Sequence, residues 1–129
     1  METPLRCIII EDEPLATRHL QSLIKDQKLL KLLGEIDDIE EIDSFLKDLK
    51  QTDVLFLDLR IKGGNIELIQ EYLTSIPYII VTSALLPEDY PNFIKQREHF
   101  ILRKPITDEM FNKCLKKIFT RRTKLNEYN

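Results

Sequence analysis

Five polar residues stand out because each closely follows a short apolar run. Glu11 and Asp12 follow Leu5–Ile10, Asp58 follows Val54–Leu57, Thr82 follows Tyr78–Val81, and Lys104 comes just after the run at 100–102. Three carboxylates gathered in one place repel one another, and some would protonate unless a cation compensated. A hard divalent ion with oxygen ligands meets that need, and Mg²⁺ takes one or two carboxylates and keeps several waters. With one lysine and one hydroxyl added, the set suits phosphoryl transfer. A carboxylate can act as nucleophile and form an acyl phosphate. Metal, ammonium and hydroxyl would neutralise charge on the phosphoryl oxygens.

Whether these residues meet depends on the elements that carry them. The run Leu-Arg-Cys-Ile-Ile-Ile reads as a buried strand, stopped by Glu11-Asp12-Glu13-Pro14. Pro14 suits a first helical position, and Leu15, Ala16, His19, Leu20, Leu23 and Ile24 then recur at helical spacing to about Asp26. Residues 32–36 form a weaker strand. Asp38 with Glu41 reads as a capping box, opening a helix faced by Ile39, Ile42, Phe45, Leu46 and Leu49. The third strand, Val54–Leu57, ends at Asp58. Gly63-Gly64-Asn65 turns the chain, and Ile66, Ile69, Tyr72 and Leu73 suggest a third helix. The fourth strand ends at Thr82. Pro87 and Pro91 limit the next helix to a short piece starting near Pro91. The fifth strand, at 100–102, is closed by Lys104-Pro105. Thr107 caps a last helix with Met110, Phe111, Cys114, Leu115 and Ile118 inward, and residues 123–129 read as a polar tail after a domain at 1–122.

Strand followed by helix, five times, requires crossover connections and hence a parallel sheet covered on both faces. The carboxyl ends of such strands share one edge, where ligands bind. Topology therefore brings Glu11, Asp12, Asp58, Thr82 and Lys104 together. Any one of these is most often a helix cap, a turn or a surface charge, so the weight rests on their coincidence. His19 and His99 read as structural.

The chain has 129 residues, the size of one domain. Apolar residues make up 43% and charged residues 32%, which excludes wholesale disorder. No apolar run approaches the roughly 20 residues needed to span a bilayer, and the opening residues are too short and polar for a signal peptide. Cys7 and Cys114 stand apart, which argues against a disulfide framework and for a cytoplasmic setting. Residues 1–60 hold 14 acids against 8 bases, and residues 61–129 hold 8 against 11. The C-terminal excess (Lys113, Lys116, Lys117, Arg121, Arg122, Lys124) lacks a base-reading motif and reads as a solvated helix face.

Ile8-Ile9-Ile10-Glu11-Asp12-Glu13-Pro14-Leu15-Ala16, Leu55-Phe56-Leu57-Asp58-Leu59, Val81-Thr82-Ser83 and Lys104-Pro105-Ile106 together resemble the receiver domain of two-component response regulators. The resemblance spans about residues 6–120. It is strongest to receivers that precede LytTR-type DNA-binding domains. It implies a flavodoxin-like three-layer α/β fold with five helices and strand order 2-1-3-4-5, the order for which the receiver fold is a standard example. It also implies that Asp58 accepts a phosphoryl group from a histidine kinase. Glu11, Asp12, Asp58 and the backbone carbonyl of Arg60 would bind Mg²⁺. Thr82 would hydrogen-bond the phosphoryl group, Lys104 would pair with Asp58 or its phosphate, and Lys104–Pro105 would be cis. The expected protein is a signalling switch and not an enzyme, beyond taking up a phosphoryl group from a donor and losing it by self-dephosphorylation. It would regulate transcription through an effector domain outside this chain, with a homodimer through the fourth helix, fifth strand and fifth helix. The chain departs from the family pattern at Lys62, where proline is common, at Ile66, where glycine is common, and at Ile101, where an aromatic residue usually reports the switch. A pseudo-receiver that binds a partner without phosphorylation is the alternative. A haloacid dehalogenase-type phosphatase would need a second aspartate where this chain has Arg60.

Overall fold

A computed structural model of the protein describes residues 3–61, 63 and 65–128. Five strands form one parallel sheet: β1 (Leu5–Ile10), β2 (Leu30–Ile36), β3 (Val54–Leu57), β4 (Tyr78–Val81) and β5 (Phe100–Ile101), in the order β2-β1-β3-β4-β5. The helices are α1 (Pro14–Lys25), α2 (Leu46–Lys50), α3 (Gln70–Leu73), α4 (Asn92–Lys95) and α5 (Asp108–Tyr128). This is the flavodoxin-like arrangement that the resemblance implied.

Alternation along the strands divides the core in two. Cys7, Ile9, Val54, Phe56 and Ile80 face α1 and α5, where they meet Leu20, Leu23, Ile24, Phe111, Cys114, Leu115 and Ile118. Phe56 and Phe111 stack with ring centroids 5.8 Å apart. Ile8, Ile10, Leu55, Leu57, Ile79 and Val81 face the opposite layer and meet Ile39, Ile42, Leu49, Ile69, Leu73 and Ile94. β1, β3 and β4 are buried on both faces, which is why they read as continuous apolar runs.

Several elements differ from the sequence reading. The second helix begins as a 3₁₀ segment, Ile39–Phe45, and only its last five residues, α2, are α-helical. In a 3₁₀ turn residues i and i+3 eclipse, so Ile39, Ile42 and Phe45 stay in line while Leu46 swings outward to 40% exposure. The Asp38 carboxylate accepts the Glu40 N–H at 2.9 Å, so it caps one residue earlier than the capping box requires. The third helix likewise opens as a 3₁₀ segment, Ile66–Ile69. In α1, Leu15 and His19 lie exposed and not inward, and Leu15 is 68% exposed. Residues 123–128 continue α5 instead of forming a separate tail; no glycine or proline stands there to stop the helix. Lys62, Gly64 and Asn129 lie outside the described residues.

The β4–β5 connection matches its two prolines. A 3₁₀ turn at Pro87–Asp89 precedes α4, which Pro91 introduces. The Arg97 guanidinium then donates to the carbonyls of Leu73 (2.8 Å), Ile76 (3.0 Å) and Pro77 (3.3 Å), fastening the end of α4 to the entrance of β4. Among the described residues no helix is long and apolar enough to cross a membrane.

Candidate functional site

The sheet ladder carries the site residues into place. Where each strand ends, the next backbone N–H bonds the last carbonyl of a neighbouring strand: Glu11 to Ile36 (3.0 Å), Asp58 to Ile10 (2.9 Å), Thr82 to Leu57 (2.8 Å) and Leu102 to Val81 (2.9 Å). Glu11, Asp58 and Thr82 are therefore fixed at the backbone although their side chains leave the sheet. Glu13 follows as the residue before α1, and its N–H donates to Glu11 Oε2 at 3.3 Å. The Lys104–Pro105 bond is cis, as the resemblance implied, and Lys104 stands two residues past Leu102.

Four of the five side chains converge, and Thr82 stands at the end of the strand beside Asp58. Glu11, Asp12 and Asp58 each present a carboxylate oxygen, all within 4.8 Å of one another. Lys104 Nζ lies 2.5 Å from Glu11 Oε1, close enough for an ion pair though off the angle of a hydrogen bond, and 3.4 Å from Asp58 Oδ2. The other Asp58 oxygen, Oδ1, accepts the Arg60 N–H at 3.2 Å. Glu11 is 1% exposed and Asp58 5%. Thr82 is fully buried, and its Oγ1 has no hydrogen-bond partner among the described residues.

The electrostatics follow from crowding. Burial, and then the Asp58 carboxylate beside it, push the Glu11 carboxyl up to about 7, against the pull of Lys104. Burial disfavours the charged Lys104, but Glu11 and Asp58 outweigh it and hold the ammonium above its ordinary value. Lys104 thus faces Glu11 and Asp58 of this three-carboxylate cluster. The cluster's donors are all hard oxygens, the set that Mg²⁺ selects.

The structure also answers for the residues set aside. His19 Nε2 donates to the Ile106 carbonyl at 2.8 Å and His99 Nδ1 to the Arg97 carbonyl at 3.0 Å, so both rings serve the backbone. Burial pushes the Cys7 thiol up to about 12 and the Cys114 thiol to about 11, which leaves neither as a nucleophile. Sequence reasoning missed two features. Ser83 is fully buried, and its Oγ accepts the Leu85 N–H at 3.1 Å, shaping the loop after Thr82. An apolar slot of about 250 Å³ flanks the cluster, with Leu15, Ala16, Pro105 and Ile106 in its walls. The sign available in the sequence was Leu15, an apolar residue directly after a helix-starting proline.

No family model matches the chain. The transcriptional regulatory protein BtsR of Salmonella typhi is 30% identical over 125 residues, covering 93% of this chain and 50% of BtsR. The sensory transduction protein LytT of Bacillus cereus is 29% identical over 118 residues, covering 88% of this chain and 46% of LytT. The crystal structure of the response regulatory domain of MrkE from Klebsiella pneumoniae superposes with a TM-score of 0.74 at 26% identity, covering 91% of this chain and 97% of that domain. The chain is a response-regulator receiver domain. It spans about half the length of the curated relatives it matches.

Proposed function

We propose that this receiver is a phosphoacceptor switch of a two-component system, phosphorylated on Asp58 by a histidine kinase in a Mg²⁺-dependent reaction. The observation that carries the reading is the joint placement of Glu11, Asp12 and Asp58 beside Lys104, with the buried Thr82, its hydroxyl unpartnered among the described residues, at the end of the neighbouring strand. An Asp58 oxygen attacks phosphorus, the bond from phosphorus to the donor nitrogen breaks, and the imidazole keeps the electron pair. Asp58 suits the role because a buried strand fixes its backbone while its carboxylate opens onto the cluster. Thr82 Oγ1 lacks a partner now and donates to a phosphoryl oxygen once one arrives. Lys104 balances the added charge. Glu11, Asp12, Asp58 and the Arg60 carbonyl would hold Mg²⁺, which supplies the positive charge that developing phosphoryl oxygens need. The protein has no turnover of its own beyond taking up and losing this phosphoryl group.

The wider reading is a cytoplasmic protein. Residues 1–122 act as the receiver unit and regulate transcription through an effector domain. Self-association through α4, β5 and α5 belongs to the same proposal. It draws on the mixed charge of Glu88, Asp89 and Glu98 against Lys95, Arg97 and Arg103, of which Arg97 and Glu98 are also engaged within the chain, Glu98 with Arg121.

Incubation with acetyl phosphate and Mg²⁺ tests the central claim by mass. Wild type gains one phosphoryl group, and Asp58→Asn, nearly isosteric, gains none while remaining folded. Equal uptake by both proteins places the phosphoryl group elsewhere and defeats the assignment. No uptake by wild type, together with no Mg²⁺ binding, replaces the switch with an interaction module that works unphosphorylated.

A further inference from the structure

At the end of the sheet opposite the carboxylate cluster lies a cavity of about 570 Å³. It opens where β1, β3 and β4 begin, and its walls include Leu5, Arg6, Lys31, Asp53, Tyr78 and Arg122. Three cations thus face one carboxylate. That carboxylate is already engaged: Asp53 Oδ2 accepts the Arg6 N–H at 2.8 Å and lies 3.4 Å from Arg6 Nε. Among the described residues the other two cations pair with no acid. Lys31 is exposed and forms no ion pair among the described residues. Arg122 donates through Nη2 to the Thr3 carbonyl at 2.5 Å, while its Nη1 is shielded from water and has no partner among the described residues.

A guanidinium with a buried, unspent donor is costly, because a charged group out of water needs every hydrogen bond it can make. Burial holds the Tyr78 hydroxyl above its ordinary pKa, and the nearby Arg122 charge opposes that, so phenol and guanidinium share the same wall. Leu5 and the Tyr78 ring supply apolar surface beside the cations. Two unpaired cations next to an apolar wall match one ligand chemistry: an oxyanion carried on an apolar stem. A small turn of the Arg122 side chain would present its planar fork to such a group.

We propose that this cavity is a second ligand site, which binds a small organic oxyanion through Lys31 and Arg122 and packs its stem against Leu5 and Tyr78. The site lies across the sheet from Asp58 and does not depend on phosphorylation, so the two can fail separately.

Nitrogen–proton correlation spectra of the whole chain, in Mg²⁺-free buffer, test it with phenyl phosphate, benzoate and inorganic phosphate as probes. Saturable shifts are expected at Leu5, Arg6, Lys31, Asp53, Tyr78 and Arg122 with phenyl phosphate, benzoate or both. Phenyl phosphate alone assigns the site to phosphate esters, and equal binding of both probes assigns it to oxyanions at large. Lys31→Gln and Arg122→Gln should each weaken binding by about tenfold or more, the scale of one lost charge-assisted contact. Lys31 is exposed, so its variant keeps the fold if Arg122→Gln does not. Inorganic phosphate binding as tightly as phenyl phosphate overturns the role of the stem. Shifts that survive both substitutions, or that appear only at Asp12, Asp58, Thr82 and Lys104, overturn the site, and the latter pattern leaves the phosphoacceptor reading standing.

Discussion

Replacing Glu11 by glutamine should stabilise the metal-free protein at alkaline pH and leave it nearly unchanged at acid pH. The folded state raises the Glu11 carboxyl from its ordinary 4.5 to about 7, chiefly by burial and then by Asp58. A carboxyl held above its unfolded value contributes fully below pH 4.5, and that contribution is lost as pH rises through about 7. Each pH unit between the two values corresponds to about 1.4 kcal/mol, so the full span would be about 3 kcal/mol. Lys104 beside it is 25% exposed, so water reaches the cluster from one side, and screening reduces the figure to about 1–2 kcal/mol. For a chain of this length that is about 4–8 °C in melting temperature. Thermal melts of wild type and Glu11→Gln, in chelator, from pH 5 to pH 8.5 would measure it. The variant should match wild type near pH 5 and exceed it near pH 8. Adding Mg²⁺ at pH 8 should reverse the order, because wild type alone keeps the full acidic set. A difference between the two proteins that is flat across this pH range refutes the argument that Glu11 is strained by burial and by Asp58.

Three further outcomes can be checked. Gly63 has φ of 95° and its backbone abuts the Asp38 carboxylate, which an added Cβ would overlap; Gly63→Ala should cost about 1–3 kcal/mol in urea unfolding, and a neutral result would mean the turn relaxes freely. Leu15 is 68% exposed in the wall of the apolar slot beside Lys104 and Pro105. Leu15→Asp should slow phosphotransfer from the kinase by about tenfold while uptake from acetyl phosphate is unchanged, and an equal loss with both donors would move Leu15's role to the site itself. Ile101 is 43% exposed on β5 and has no ring to bury, so crystal structures with and without beryllofluoride should show the same residue 101 rotamer; a rotamer change there coupled to Thr82 would restore the usual switch.

The strands were the most readable part of the sequence. β1, β3 and β4 fall where the apolar runs stand, because a strand buried on both faces admits little else. The placement of Glu11, Asp58, Thr82 and Lys104 along one sheet edge was equally legible, since it follows from parallel topology and needs no knowledge of side-chain detail. Helix type was not legible. Ile39, Ile42 and Phe45 at intervals of three satisfy a 3₁₀ turn as well as an α-helix, and only tertiary packing chose between them. Exposure along α1 was misread at Leu15 and His19 because apolar periodicity marks a stripe without saying where it runs off the edge of the core. The Arg97 contacts were invisible for a different reason. They join backbone carbonyls that carry no sequence signature.

Those Arg97 contacts also set a mechanical boundary. The segment from Thr82 to Arg97 is pinned at one end by the ladder bond from Thr82 to Leu57, and at the other by a guanidinium gripping three carbonyls at the foot of β4. A strand of chain held at both ends cannot translate as a whole. Any pull exerted on the Thr82 hydroxyl must be absorbed as a change of curvature between the pins, in the stretch that holds the 3₁₀ turn and α4. β5, paired to β4 over only two residues, lies beyond the second pin. If the proposed switch operates, a small tug at the buried hydroxyl would reshape the outer surface between the two pins.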